Sequence, residues 1–169
     1  PPSSKNITVK ELVSLGRHPY TNWIGILTEV DEEIIKESLL DTDTINLAEK
    51  KCSELSDGQL QRVMIARALV QNTSIILLDE PTTHLDIYHR AYILKLLKDL
   101  AIKKKKTIIF STHEIDLAFQ VSHKMIVMTK EKIYFDKPDK LIKSGCFENL
   151  FPSETIRFDH ELKQFILKK

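Results

Sequence analysis

Apolar positions along the chain alternate between two spacings. Ile7, Val9, Leu12, Val13 and Leu15 recur at helical intervals until Gly16 and Pro19 interrupt them. The stretch 20–25 follows neither period and reads as a loop carrying Trp23. Residues 31–40 predict a helix with Asp31 as its N-cap, and 41–54 are polar and irregular. A helix is predicted over about 58–71, where Val63, Met64, Ala66, Arg67 and Val70 fall at helical spacing. Ser74-Ile75-Ile76-Leu77-Leu78-Asp79 is then a continuous apolar run, as expected of a parallel strand buried on both faces. A long helix over 87–102 puts Ile93, Leu94, Leu97, Leu100 and Ala101 on one side. Lys103, Lys104, Lys105 and Lys106 end it. That run reads either as a solvated helix C-terminus, where cations suit the dipole, or as a phosphate-binding patch. A second buried strand is predicted at 107–111, a helix at 114–121, and further strands at 125–128 and 133–135. A short helix starting at Pro138 covers 138–145. The tail predicts a hairpin, with strands at 155–158 and 164–167 joined by a turn. Strands alternating with helices predict an α/β fold.

Composition narrows the class. The 169 residues suit one domain, and 42% hydrophobic with 29% charged residues is ordinary for a chain that builds a core. Lys and Arg number 25 against 24 Asp and Glu, a formal net charge of +1. That balance argues against nucleic-acid binding driven by phosphate neutralisation. Two distant cysteines, Cys52 and Cys146, suit a reducing compartment rather than a disulfide scaffold. No apolar run approaches the roughly 18 residues of a membrane span. The start, Pro1-Pro2-Ser3-Ser4-Lys5-Asn6, lacks the apolar segment of a signal peptide.

The candidate chemistry gathers at strand ends and one helix start. Asp79 and Glu80 follow the first apolar run directly, at the carboxyl end of a predicted parallel strand, where open α/β sheets bind ligands. Adjacent strand residues point oppositely, so one acid can hold Mg²⁺ while the other polarises a water. The competing reading is two acids that cap a strand and begin a turn. Upstream, Leu55-Ser56-Asp57-Gly58-Gln59 opens the helix at 58–71. Ser56 there is either an anion ligand at a helix N-terminus or simply an N-cap. Pro81-Thr82-Thr83-His84-Leu85-Asp86 follows the acids, and Ser111-Thr112-His113 ends the next strand.

In this order the motifs resemble the nucleotide-binding subunits of ATP-binding-cassette (ABC) transporters. The segment 55–59 is similar to the signature motif, 75–79 to the Walker B strand, Glu80 to the catalytic carboxylate, Asp86 to the D-loop aspartate and His113 to the switch histidine. Asp57 departs from the glycine commonest at its position. Together with Val9-Lys10-Glu11-Leu12-Val13, Leu15-Gly16-Arg17-His18-Pro19-Tyr20 and the tail, it resembles the importer branch serving iron–siderophores, haem or cobalamin. The resemblance implies a P-loop NTPase (RecA-like) parallel-sheet core. It implies a helical subdomain at 1–72, the C-terminal part of the core at 73–150 and a hairpin at 151–169.

No Gly-x-x-x-x-Gly-Lys-Ser/Thr occurs, and the chain has four glycines in all. The expectation is therefore the C-terminal part of a longer protein, inactive as an ATPase by itself. By resemblance, the phosphate-loop strand belongs between the strands at 107–112 and 124–129. Its absence leaves three arrangements: direct pairing of those two strands, a strand from a second copy, or a strand outside this chain. The resemblance further implies a head-to-tail homodimer around two ATP molecules. Leu55, Ser56, Asp57, Gly58, Gln59 and Asp86 would meet ATP or the dimer interface, Asp79 the Mg²⁺, and Glu80 and His113 the chemistry. Transmembrane permease subunits would be partners at the cytoplasmic face of the membrane, through residues 7–30, with Arg17, Tyr20 and Trp23 as the exposed candidates, although Trp23 reads equally as a core residue. ABC-type ATPases of DNA repair or ribosome function, and a non-catalytic interaction module, are the competing classes.

Overall fold

The structure is a computed structural model that describes residues 6–23, 25–148, 150–151 and 154–168. The Pro1-to-Lys5 segment examined for a signal peptide lies outside the described residues. The chain forms two compact units, Pro1–Ser111 and Thr112–Lys169.

In the first unit, α1 (Val9–Ser14) runs into a 3₁₀ segment, Leu15–Tyr20, that carries Pro19 inside it. The predicted break at Gly16 is a tightening of the helix. A Cβ on Gly16 would lie 2.4 Å from Val70 Cγ2 and 2.5 Å from the Arg67 carbonyl oxygen, so only glycine admits this close approach. Helix α2 (Glu29–Asp41) starts two residues earlier than predicted, because Thr28 is its N-cap and Asp31 sits at N3 as the reciprocal partner of a capping box. Two short 3₁₀ turns, Ile45–Leu47 and Cys52–Glu54, lead to α3 (Asp57–Leu69).

Helix α3 is buried on two faces. Val63, Ala66 and Val70 pack with Val9, Val13, Ile35 and Leu39 of α1 and α2. Ile65 and Leu69 pack instead with Ile76, Leu85, Ile93, Leu97 and Leu100. This second cluster joins α3 to α4 (Ile87–Lys103) and to the parallel pair β1 (Ile75–Leu78) and β2 (Thr107–Phe110). The two strands are parallel, as the apolar runs suggested, and they pair from Ile75 opposite Thr107 to Leu78 opposite Phe110. Burial on both faces does not hold. Leu77 is 73% and Ile75 54% exposed, whereas Ile76 is buried. Both α3 and α4 cover the same side of the pair, and the described residues of this unit put nothing on the other.

Two surface expectations also change. Arg17 is buried, and its Nε donates to Asp31 Oδ1 at 2.7 Å while its Nη1 donates to the Val70 carbonyl at 2.8 Å. The guanidinium thereby satisfies a carbonyl at the α3 C-terminus as well as a buried carboxylate. The lysine run is neither simply solvated nor phosphate-facing at its start. Lys103 Nζ lies 2.6 Å from the buried Asp41 carboxylate, and Lys104 pairs with Asp41 and Glu37. Burial alone would raise the Asp41 pKa, but hydrogen bonds from Lys103 and Lys104 outweigh it and lower the pKa.

In the second unit, α5 (Ile115–Val121) precedes β3 (Met125–Met128) and β4 (Ile133–Asp136), which pair antiparallel. Helix α6 (Pro138–Lys143) has proline in its first turn. Strands β5 (Ile156–Asp159) and β6 (Gln164–Leu167) form the predicted hairpin. The core is aromatic: Phe147 stacks on Phe158 at 5.0 Å, and Phe119 meets Phe147 edge-on at 5.1 Å. Within the first unit β2 pairs with β1, and within the second β3 pairs with β4.

Candidate functional site

The first unit gathers its chemistry at the carboxyl ends of β1 and β2. The chain leaves β1 at Asp79 and turns sharply at Glu80, whose φ is +43°. Such a conformation is strained for a residue with a side chain, and it is found at sites where the surroundings hold it. Ser111, one residue past β2, does this. Its Oγ donates to Asp79 Oδ1 at 2.6 Å and accepts from the Glu80 N–H at 2.8 Å. Thr83 Oγ1 donates to Glu80 Oε2 at 2.8 Å across the same turn. The two adjacent acids are thus fixed by a hydroxyl from the neighbouring strand. In the sequence Ser111 is only part of a strand end. Its role follows from the β1–β2 register, which no local pattern reports.

The second constellation lies at the start of α3. Ser56 is the N-cap: its Oγ accepts from the Gln59 N–H at 3.3 Å, and Gln59 Oε1 accepts from the Ser56 N–H at 3.1 Å. Leu55 is half-buried beside the first cluster, Asp57 is exposed in the first turn, and Gly58 is buried. Asp86 is the N-cap of α4, accepting from the His89 N–H at 2.9 Å, with its other oxygen 2.8 Å from His89 Nδ1. The His89 backbone N–H chiefly, then its side chain, holds the Asp86 carboxyl below its usual range. His89 also packs on Gly58. It therefore joins the two motifs that the sequence reading treated separately.

His113 opens the second unit, where it is exposed and lines a shallow pocket with Ile115, Asp116, Phe151 and Phe165. The structure thus brings Asp79 and Glu80 together through Ser111, and the 55–59 segment and Asp86 through His89. Tyr20 is 53% and Trp23 94% exposed, so Trp23 is not a core residue, and Tyr20 Oη donates to the Gln71 carbonyl at 2.6 Å. Among the described residues no three His, Cys, Asp or Glu side chains group to hold a metal. Asp79 nevertheless fits one position of a Mg²⁺ site, because that ion keeps water and phosphate oxygens around one or two carboxylates.

The comparisons agree with this architecture. The ABC transporter family profile matches residues 3–83. The siderophore transport ATP-binding protein YusV of Bacillus subtilis is 38% identical over 152 residues, which cover 89% of this chain and 55% of the relative. The achromobactin transport ATP-binding protein CbrD of Dickeya dadantii is 45% identical over 152 residues, covering 89% of this chain and 56% of the relative. An ABC transporter in an inward-facing conformation superposes with a TM-score of 0.81 at 29% identity, over 89% of this chain and 59% of that one. A bacterial ABC transporter cassette solved as a dimer gives 0.63 at 31% identity, over 79% and 58%. The chain belongs to the ABC transporter family and corresponds to the C-terminal part of its ATP-binding domain, a partial P-loop NTPase fold. It spans little more than half the length of these curated relatives.

Proposed function

We propose that the complete protein hydrolyses ATP as the nucleotide-binding subunit of an importer for iron–siderophores, haem or cobalamin. The relatives named for siderophore, hydroxamate and cobalamin import support this substrate range over DNA-repair or ribosome roles. The observation that carries the reading is the Asp79–Glu80 pair, held at the end of a parallel strand by Ser111. Asp79 holds the Mg²⁺, which when bound neutralises charge on the phosphates. Glu80 orients and deprotonates the attacking water, and His113 hydrogen-bonds the γ-phosphate. Ser56 and the N–H groups at Gly58 meet the γ-phosphate of an ATP carried by a second copy, and the start of α3 offers free donors for it. Asp86 lies at that copy's interface. Hydrolysis here is positioning plus charge stabilisation.

Closure of the dimer on ATP moves permease subunits at the cytoplasmic face of the membrane. The exposed Trp23 and Tyr20 are the proposed contact; no helix among the described residues is long and apolar enough to cross a membrane. The test is Glu80→Gln in the complete protein. Loss of its carboxylate base should cost turnover about a hundredfold or more while ATP binding persists and an ATP-bound dimer accumulates. Near-parental steady-state hydrolysis would overturn the assignment.

A further inference from the structure

His89 occupies the first turn of α4 and touches two elements at once. Its backbone N–H and Nδ1 engage the two oxygens of Asp86, at 2.9 and 2.8 Å. An ionised carboxylate only accepts, so Nδ1 carries the proton. The far edge of the same ring lies on Gly58: a Cβ there would come 2.7 Å from His89 Cδ2 and 3.4 Å from Nε2. Tyr88 meets the ring edge-on at 5.3 Å. The segment between Glu80 and Asp86 contains two left-handed residues, Glu80 and His84, and belongs to no helix or strand. Leu85 anchors this segment by packing against Ile65 and Leu69 of α3, and the grip on the Asp86 carboxylate adds a second, polar tie to the start of that helix.

From this geometry we infer that His89 is a positioning residue for ATP hydrolysis, clamping Asp86 at a fixed distance from the start of α3. The inference rests on the ATPase reading above. The clamp ties the interface aspartate to the helix start that meets the γ-phosphate. Gly58 is required there because any side chain would displace the ring. A displacement of about 1 Å in such a site costs up to about a hundredfold in rate.

The test uses the complete protein. His89→Ala removes ring and donor, and should lower turnover about tenfold, the scale of one lost hydrogen bond in a positioned group, while nucleotide affinity of the monomer stays within about twofold. His89→Asn keeps a donor near the Nδ1 position and should restore most of the rate. A purely structural His89 would not give that split or that rescue. Imidazole ¹⁵N spectra supply a readout independent of turnover: His89 should carry its proton on Nδ1 and shift toward Nε2 in Asp86→Ala. An unchanged tautomer in that variant overturns the clamp. Parental turnover in His89→Ala overturns the positioning role even if the tautomer responds. A parent that does not hydrolyse ATP removes the ATPase reading and the positioning role with it, while the spectra still decide the clamp.

Discussion

At the scale of single residues, the Asp79 carboxylate and the Glu80 backbone are held by a hydroxyl whose importance no motif signals. Ser111 Oγ spends its proton on Asp79 and its lone pair on the Glu80 N–H, so one small side chain sets both acids. Ser111→Ala leaves the Glu80 turn without its partner in a conformation that is already strained. In the complete protein, turnover should fall several-fold to about tenfold with little change in nucleotide affinity, because the lost bonds orient the acids rather than bind the phosphates. Ser111→Thr keeps the hydroxyl and should retain most of the rate. Single-turnover and binding measurements on the two variants separate these effects, and equal losses in both would show that bulk at 111, not the hydroxyl, is what matters.

At the scale of elements, one ion pair ties three segments together. Asp31 closes the α2 capping box with Thr28 and also receives Arg17, which caps the end of α3. The Thr28 backbone N–H chiefly, then the Thr28 hydroxyl and Arg17, pull the Asp31 pKa down to about 2. Its folded value lies below the ordinary carboxylate value of about 3.9, so its stabilisation is full above that pH and is lost as pH falls toward about 2. Melting temperature should drop through this window, and Asp31→Asn should flatten that part of the profile; thermal melts between pH 6 and 2 check it, and parallel profiles for both proteins would exclude Asp31 as the source. This trio marks where sequence reasoning stops. The capping pattern at Ser56, the apolar runs of β1 and β2 and the terminal hairpin are local signals, and they were legible. Arg17 looked like a surface residue because its partners lie 14 and 53 positions away. Lys103 meets Asp41 across 62 positions, for the same reason. Strands that read as buried on both faces carry that pattern in their composition, but only packing reveals which side the helices of this unit cover. The β3–β4 pairing was open because apolar runs do not state direction.

At the scale of the whole molecule, the residues proposed for catalysis are present while the sequence has no Gly-x-x-x-x-Gly-Lys-Ser/Thr segment to cradle the phosphates. The purified 169-residue chain should therefore show no measurable ATP hydrolysis, and a coupled phosphate-release assay decides it. Glu80-dependent turnover by this chain alone would mean that another part of it grips the phosphates. Within the first unit, α3 is a wall common to two rooms: one side closes the packing with α1 and α2, the other the packing with α4 and the parallel strands. Neither room can be dismantled while its neighbour stands, because the wall belongs to both. The helix that presents Ser56 therefore cannot shift without disturbing both packings, and it runs unbroken from that residue to the end that Arg17 caps.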